Sequence, residues 1–183
     1  MEKIYIVLVS TPGIFAFLIK QVIKQKYIHV SLALDDKLET TYSVGRRHPS
    51  VPWFSGFTRE RFEQVLEKFP DAQYRIMEME VTKEQKAAIK SELEMIYEKR
   101  KSIHYTIIGL PFILWNKPFY QRNHYTCSSF LAKFLSENGI TLFQKHFSLV
   151  TPKDFLELRN TNLIYEGYLR DYINLNYKKL VVN

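Results

Sequence analysis

Apolar and polar positions in the N-terminal part of the chain follow the two-residue period of β-strands. Residues 3–9 form an apolar, β-prone run typical of a buried strand. The β-prone runs 28–34 and 38–44 are separated by Asp35-Asp36-Lys37, which predicts an antiparallel hairpin. If Leu34 pairs with Leu38, the antiparallel register places His29 opposite Ser43. Strand side chains alternate between two faces. One face of this hairpin is then unusually polar and carries His29, Ser31, Ala33, Glu39, Thr41 and Ser43.

The rest of the chain predicts a mixture of helices, one more strand and irregular connections. Thr11-Pro12 predicts the start of a helix that continues to about Lys26. Residues 45–58 lack a sustained hydrophobic period, which predicts a long surface loop. Apolar and polar residues alternate over 73–81, which predicts a strand. Thr82 opens a helix, with Gln85 completing a capping box, that ends near Lys101. The predicted elements after residue 126 are a helix over 127–138 that stops at Gly139, a short helix from Thr151-Pro152, and a final edge strand over 177–182.

Length and charge narrow the class of protein. The chain has 183 residues, of which 46% are hydrophobic, and it shows no repeat or linker, so we expect a single domain over 1–183. Its net charge of +7 favours anionic partners without identifying one. Basic residues and aromatics do not form an RNA-binding pattern, so nucleic acid is not an expected partner.

Hydropathy and cysteine usage predict a cytoplasmic protein. The apolar run 4–19 is shorter than the ~20 residues of a spanning helix and is interrupted by Thr11-Pro12-Gly13. We therefore expect no integral membrane segment, whereas peripheral membrane contact stays open. The single cysteine, Cys127, excludes an intrachain disulfide framework and favours a reducing compartment.

Cys127 is the candidate nucleophile. Thr126 is a good N-cap and places the sulfur in the first turn of the following helix, where backbone N–H groups and the helix dipole stabilise a thiolate. The same N–H groups would serve as an oxyanion hole. The alternative is an inert buried cysteine. His124, three residues earlier, gives too few ligands with Cys127 for a metal site, so we expect neither a metal nor a cofactor.

His29 is the best-placed candidate base, because it lies on the polar face of a rigid hairpin. A cysteine nucleophile needs an imidazole to take its proton and a polar group to orient the ring. Glu39, Thr41 and Ser43 share the face of His29 and are the candidates for that group. Alternatively, His29 is a hydrogen-bonded structural histidine.

Four short motifs carry a resemblance to a known family. They are Tyr27-x-His29-Val-Ser-Leu-Ala-Leu-Asp35, Tyr42-Ser43-Val44-Gly45-Arg46, Tyr125-Thr126-Cys127-Ser128 and Tyr165-Glu166-Gly167. Together they resemble the circularly permuted papain-like branch of the NlpC/P60 superfamily, in particular its YiiX/YebB-like group. In this branch the histidine precedes the cysteine, as it does here. Ser129 stands where similar proteins carry an acidic residue, which predicts a weaker capping box for the cysteine helix.

The resemblance implies an α+β, permuted papain-like fold in which an antiparallel sheet bearing His29 packs against the helix headed by Cys127. It also implies that Cys127 is the nucleophile and His29 the base of a cysteine peptidase, amidase or acyltransferase that forms a thioester. The expected substrate is a small molecule, a peptide or a lipid acyl group. A non-catalytic lipid- or anion-binding protein with a papain-like pocket is the alternative.

Two further residues are candidates for substrate binding, and the oligomeric state stays open. The aromatic, proline-containing stretch 105–125 either lines a pocket, with Tyr125 at its end, or is a packed connection. Arg46 follows the hairpin and either binds an anionic substrate group or pairs with Glu60 to hold the loop.

Overall fold

The computed structural model describes residues 1–12, 25–46, 55–106 and 108–181. Its strands are β1 (Glu2–Ser10), β2 (His29–Ala33), β3 (Thr41–Arg46), β4 (Ser55–Glu60), β5 (Gln73–Val81), β6 (His104–Tyr105), β7 (His124–Tyr125) and β8 (Asn162–Tyr168). Its helices are α1 (Phe62–Lys68), α2 (Lys83–Glu98), α3 (Leu110–Leu114), α4 (Cys127–Glu137), α5 (Pro152–Leu156) and α6 (Leu169–Val181). Two 3₁₀ turns cover Arg100–Ser102 and Phe147–Leu149.

The architecture is α+β, with a six-stranded antiparallel sheet in the order β4-β3-β2-β1-β5-β8. A separate pair of two-residue strands, β6 and β7, runs parallel. Among the described residues no helix is long and apolar enough to cross a membrane.

Each face of the sheet carries its own hydrophobic core. Even-numbered side chains of β1 and β2, such as Ile6 and Leu32, pack with Leu93 of α2 and Phe130 of α4. Odd-numbered ones, such as Val7, pack with side chains of α6 on the opposite face. Because strand side chains alternate, this segregation explains why β1 is buried along most of its length.

The hairpin of β2 and β3 forms, but its register differs by two residues from the predicted one. Ala33 pairs with Thr41, and the turn is longer because the Asp35 carboxylate accepts hydrogen bonds from the backbone N–H groups of Glu39 and Thr40. Leu38 adopts a left-handed conformation with φ of 63° within this turn. A shift of two keeps every side chain on its predicted face, since the period is two.

The structure also corrects the predictions for two other segments. The sequence predicts a loop over 45–58, but both ends belong to strands β3 and β4, which pair Gly45 with Gly56 and bury Phe57. The predicted final strand 177–182 is wrong, because residues to Val181 continue α6, whose Leu169 and Ile173 cover the second core. The edge position is instead filled by β8.

Several predicted elements are confirmed. β5 has the predicted bounds, and Thr82 and Gln85 form the reciprocal capping box at the start of α2. α4 begins at Cys127 and is followed by Gly139 with φ of 75°. The short helix after Thr151 is present as well. Most of the predicted helix over 11–26 lies outside the described residues.

Candidate active site

β2 and α4 bring His29 and Cys127 together. Cys127 is the first residue of α4, whose N-terminal half packs against the hairpin. The thiol is buried, with 5% of the residue exposed, and the charge and side chain of His29 lower its pKa. The His29 side chain remains 25% exposed, so the pair is open to solvent from the imidazole side.

The N-terminus of α4 is firmly capped. Thr126 Oγ1 accepts from the Ser129 N–H, and Ser129 Oγ accepts from the Thr126 N–H at 2.9 Å, so a serine completes the capping box. The capping box therefore forms with a neutral hydroxyl in place of a carboxylate, and its lower strength stays a prediction. This capping fixes the position of the sulfur relative to the sheet.

The second nitrogen of the His29 ring is held by Glu60, at the end of β4. His29 Nε2 lies 2.7 Å from Glu60 Oε1, and Ser43 Oγ donates to the same oxygen at 2.5 Å. The Ser31 hydroxyl, which donates to the Val7 carbonyl at 3.5 Å, also contributes to lowering the pKa of this carboxylate. The Glu60 side chain is only 17% exposed. Cys127, His29 and Glu60 therefore form an interacting set, in which a hydrogen bond joins the imidazole to the carboxylate and charge couples the imidazole to the thiol.

The charges in this set shift all three pKa values in the direction of an ion pair. Burial alone would raise the pKa of the Cys127 thiol, but the His29 charge outweighs it and the net shift is downward. Burial would lower the pKa of His29, whereas Cys127 and Glu60 raise it to about 10. Burial opposes ionisation of Glu60 too, yet His29 and the two serines bring its pKa below the usual value.

Backbone groups add to the stabilisation of the sulfur. The backbone groups of Val30 and Ser128 also act to lower the pKa of the Cys127 thiol. Ser128 belongs to the first turn of α4, where N–H groups have no partner within the helix. The sulfur therefore lies where fixed dipoles favour negative charge.

Gly45 leaves room for the imidazole. A Cβ atom at this position would lie 3.0 Å from His29 Cε1 and 3.8 Å from Ser43 Oγ. Any larger residue would push the ring away from Cys127 or Glu60. The glycine is therefore a positioning element of the candidate site.

Ser43 lies at the site, although not in the predicted contact. It hydrogen-bonds Glu60 and acts on His29 only through that carboxylate. The Thr41 hydroxyl donates instead to the carbonyl of Leu38 at 2.9 Å, within the hairpin turn. Glu39 is exposed at the same turn. Of the three side chains predicted to orient His29, only Ser43 lies in its hydrogen-bond network.

The two predicted substrate-binding residues have different outcomes. Tyr125 is 8% exposed, and its ring packs edge-on against Phe130 in the first core, while its hydroxyl lies 2.8 Å from that of Tyr120. Tyr125 is therefore packed into the first core, and its role in substrate binding stays a prediction. Arg46 ends β3, and its side chain lies outside the part that the structure describes.

The motifs around Tyr27 and Glu166 meet on the sheet. The Tyr27 hydroxyl donates to Glu166 Oε1 at 2.7 Å, and Lys26 Nζ lies 3.7 Å from the same oxygen. Arg75 donates to the other carboxylate oxygen, Oε2. Tyr27 precedes β2 by two positions. This network therefore ties the entry to the histidine strand to edge strand β8.

Glu60 is the functional residue that the sequence pattern missed as a partner of His29. It lies just beyond the predicted loop over 45–58, at a position where the sequence pattern predicts no strand, so its face is not predicted. The signal was the alternation of Phe57, Thr58, Arg59 and Glu60, in which buried Phe57 marks the opposite face from Glu60.

The chain matches no family model and no curated protein. Within the described ranges, no group of three or more histidine, cysteine, aspartate and glutamate side chains is arranged to hold a metal ion.

Proposed function

We propose that this protein is a cysteine-dependent hydrolase or acyltransferase that cleaves an amide or acyl bond through a thioester on Cys127. The observation that carries the proposal is the placement of the Cys127 thiol at the start of a helix packed on β2, with His29 of β2 held through Nε2 by Glu60. An inert buried cysteine needs neither an imidazole partner nor a carboxylate behind that imidazole. This set of groups matches the general requirement for an activated nucleophile.

The proposed acylation begins from the thiolate and imidazolium. Cys127 Sγ attacks the carbonyl carbon, and backbone N–H groups of the first turn of α4 stabilise the oxyanion that forms. Since Nε2 of His29 is held by Glu60, Nδ1 is the nitrogen that serves the thiol. As the bond to the leaving nitrogen or oxygen breaks, the imidazolium gives its proton to that atom. The products are a thioester, a protonated leaving group and a neutral imidazole.

Deacylation reverses the proton flow. The neutral His29 takes a proton from water, which attacks the thioester carbonyl and releases a carboxylic acid while the thiolate and imidazolium are restored. An alcohol or amine in place of water gives acyl transfer. Glu60 stays ionised throughout and orients the ring, so it is a positioning residue.

We further propose that the fold is the circularly permuted papain-like one. Its support is the chain order, in which the histidine strand comes before the cysteine helix, together with an antiparallel sheet packed on that helix. The resemblance of the four motifs points the same way. Peptide amides and lipid acyl groups are the two substrate classes that it implies.

Acyl-enzyme formation tests the proposal directly. The full chain is incubated with p-nitrophenyl esters of short and long acyl chains and with p-nitroanilides of short peptides, and its intact mass is measured. We expect an acyl adduct on Cys127 that accumulates in a burst and is absent in Cys127→Ser and His29→Ala. The class of probe that acylates fastest identifies the substrate class.

Two results would overturn the proposal. One is a Cys127 that acylates no faster in the wild type than in His29→Ala. The other is saturable binding of acyl or anionic ligands without any adduct or turnover, which would establish the non-catalytic binding protein instead.

A further inference from the structure

The connection between β6 and β7 exposes a set of large apolar side chains. Ile108, Leu114 and Trp115 are 60%, 64% and 68% exposed. Exposed Pro111 and Leu114 lie three residues apart in α3, while Ile108 precedes the helix and Trp115 directly follows it, so all four belong to or flank this one short helix. We call this surface the apolar tip.

The apolar tip rests on a packed base, so its exposure is built into the fold. Phe112 and Phe119 stack with ring centroids 4.5 Å apart. The two ends of the connection are joined where His104 N donates to Asn123 O and Thr106 N donates to Tyr125 O, at 2.8 and 2.9 Å. Three large apolar side chains held toward water on one element are typical of an interaction surface.

Charge identifies the kind of partner. From residue 99 to residue 136 the sequence contains no Asp or Glu, while its Lys and Arg residues are Lys99, Arg100, Lys101, Lys117, Arg122 and Lys133. Lys117 and Arg122 flank the apolar tip and are exposed. A partner that accepts Trp and Leu and also attracts cations combines an apolar interior with an anionic surface.

We propose that the apolar tip docks the protein on an anionic lipid bilayer. Ile108, Leu114 and Trp115 enter the boundary between headgroups and acyl chains, where Trp is favoured, and Lys117 and Arg122 contact the anionic headgroups. A second copy of the chain is a poorer fit, because a symmetric contact would place the same cations opposite each other. Docking of this kind does not require the thioester chemistry.

Docking in this way would also hold the candidate site close to the bilayer. The connection returns through β7 directly to Thr126 and Cys127. The chain segment that follows the apolar tip therefore leads into the start of α4. Membrane binding and acyl chemistry would then be served by one continuous stretch of chain.

Vesicle binding by the full chain tests the proposal. Sedimentation with phosphatidylcholine vesicles is compared with vesicles containing about a third phosphatidylserine. Trp53→Phe leaves Trp115 as the single tryptophan, so a blue shift and quenching by brominated acyl chains report its insertion. We expect binding to the anionic vesicles that weakens steeply with salt.

Matched variants separate the apolar tip from general charge. Leu114→Ala with Trp115→Ala should weaken vesicle binding at least tenfold, whereas Met95→Ala with Leu163→Ala, which removes other exposed apolar side chains, should not. Lys117→Glu with Arg122→Glu should weaken vesicle binding to a similar extent. Lys83→Glu with Lys90→Glu, which changes charge away from the apolar tip, should reduce vesicle binding only slightly. All four double variants alter exposed side chains, so melting temperatures should stay close to that of the wild type.

Three outcomes overturn the docking surface. The first is binding that is absent or equal on neutral and anionic vesicles. The second is anionic-vesicle binding lost equally in tip and control variants. The third is Trp115-dependent dimerisation without insertion, seen by analytical ultracentrifugation. Because Cys127→Ser should bind vesicles like the wild type, failure here is distinguishable from failure of the proposed catalysis.

Discussion

Glu60 and Glu166 each accept several hydrogen bonds on the same sheet, but their partners differ in kind. Glu60 is held by His29 and Ser43, whereas Glu166 is held by Arg75 with Tyr27 and Lys26 around it. Their side chains are 17% and 35% exposed. Both carboxylates have a lowered pKa, so their own protonation state does not distinguish them.

The partners decide what each carboxylate can do. A guanidinium stays protonated at any physiological pH, so Arg75 and Glu166 form a fixed ion pair that joins β5 to β8. An imidazole exchanges its proton, and the Cys127 thiol acts on the pKa of His29. The Glu60 network can therefore move a proton, and the Glu166 network can only hold strands together.

Removing His29 should have the largest effect. Burial without the opposing charge raises the pKa of Cys127, so at pH 6.5 the thiolate fraction should be much smaller in His29→Ala than in the wild type. We expect iodoacetamide alkylation at that pH to slow at least ~10-fold and acyl turnover to fall by ~1,000-fold or more. Arg75→Ala is the control on the other network, with an unchanged alkylation profile. A thiol titrating near ~8.5 in both wild type and His29→Ala would contradict the ion pair.

Neutralising Glu60 and Glu166 one at a time should show that the two hydrogen-bond networks have different roles. Glu60→Gln keeps an acceptor for His29 Nε2 but removes the charge, so the pKa of His29 should fall and that of Cys127 should rise. We expect roughly 100-fold lower kcat and an alkylation profile shifted to higher pH. Glu166→Gln removes the same charge from an exposed ion pair, so kcat should stay within about twofold and stability should fall by at most ~1 kcal/mol.

Thermal melting and kinetics at several pH values measure both variants. If Glu60→Gln loses activity only in proportion to its folded fraction, Glu60 belongs to the scaffold. If Glu166→Gln shifts the alkylation profile as much as Glu60→Gln, the division between the two networks is wrong.

Local patterns predict the candidate nucleophile and base, and long-range pairing determines the rest. Thr126 before Cys127 and the alternation around His29 are signals within a few residues, and both elements form as predicted. The predicted face of each hairpin side chain is correct although the predicted register is wrong by two residues, because two residues make a full strand period. A one-residue error would have placed His29 in the first core.

Glu60 could not be assigned as the partner of His29 from local signals alone. Its strand becomes regular only by pairing with β3, across the segment 47–54, and sequence patterns do not report such pairings. The segment 177–182 has β-prone residues that predict a strand, but its residues to Val181 belong to α6, whose apolar side packs on the second core. In both cases tertiary packing decides between two conformations that the local sequence permits.

Crowding the imidazole should have an intermediate effect. Gly45→Ala places a methyl group 3.0 Å from His29 Cε1, so the ring must move by a few tenths of an ångström. Since both ring nitrogens are engaged, that shift strains one hydrogen bond, and we expect kcat to fall about 10-fold with little change in KM. Gly109→Ala is a matched control, because among the described residues no neighbouring atom lies within 4 Å of where its methyl group would be. Equal kcat and KM for the two variants would show that the His29 ring accommodates the added methyl group without losing its position.

Removing the Ser43 hydroxyl should have the smallest effect. Ser43→Ala deletes one of the donors to Glu60 Oε1, a hydrogen bond of about 1 kcal/mol, which corresponds to a roughly fivefold loss of kcat if it acts fully on ring orientation. Because this donor lowers the pKa of Glu60, its loss should raise that pKa and move the acid limb of the pH–rate profile to higher pH. Thr41→Ala removes a hydroxyl that bonds Leu38 in the turn, so it should cost stability and leave the acid limb in place. An acid limb that moves equally in both variants would mean that Ser43 acts through strand stability, and not through the carboxylate that holds His29.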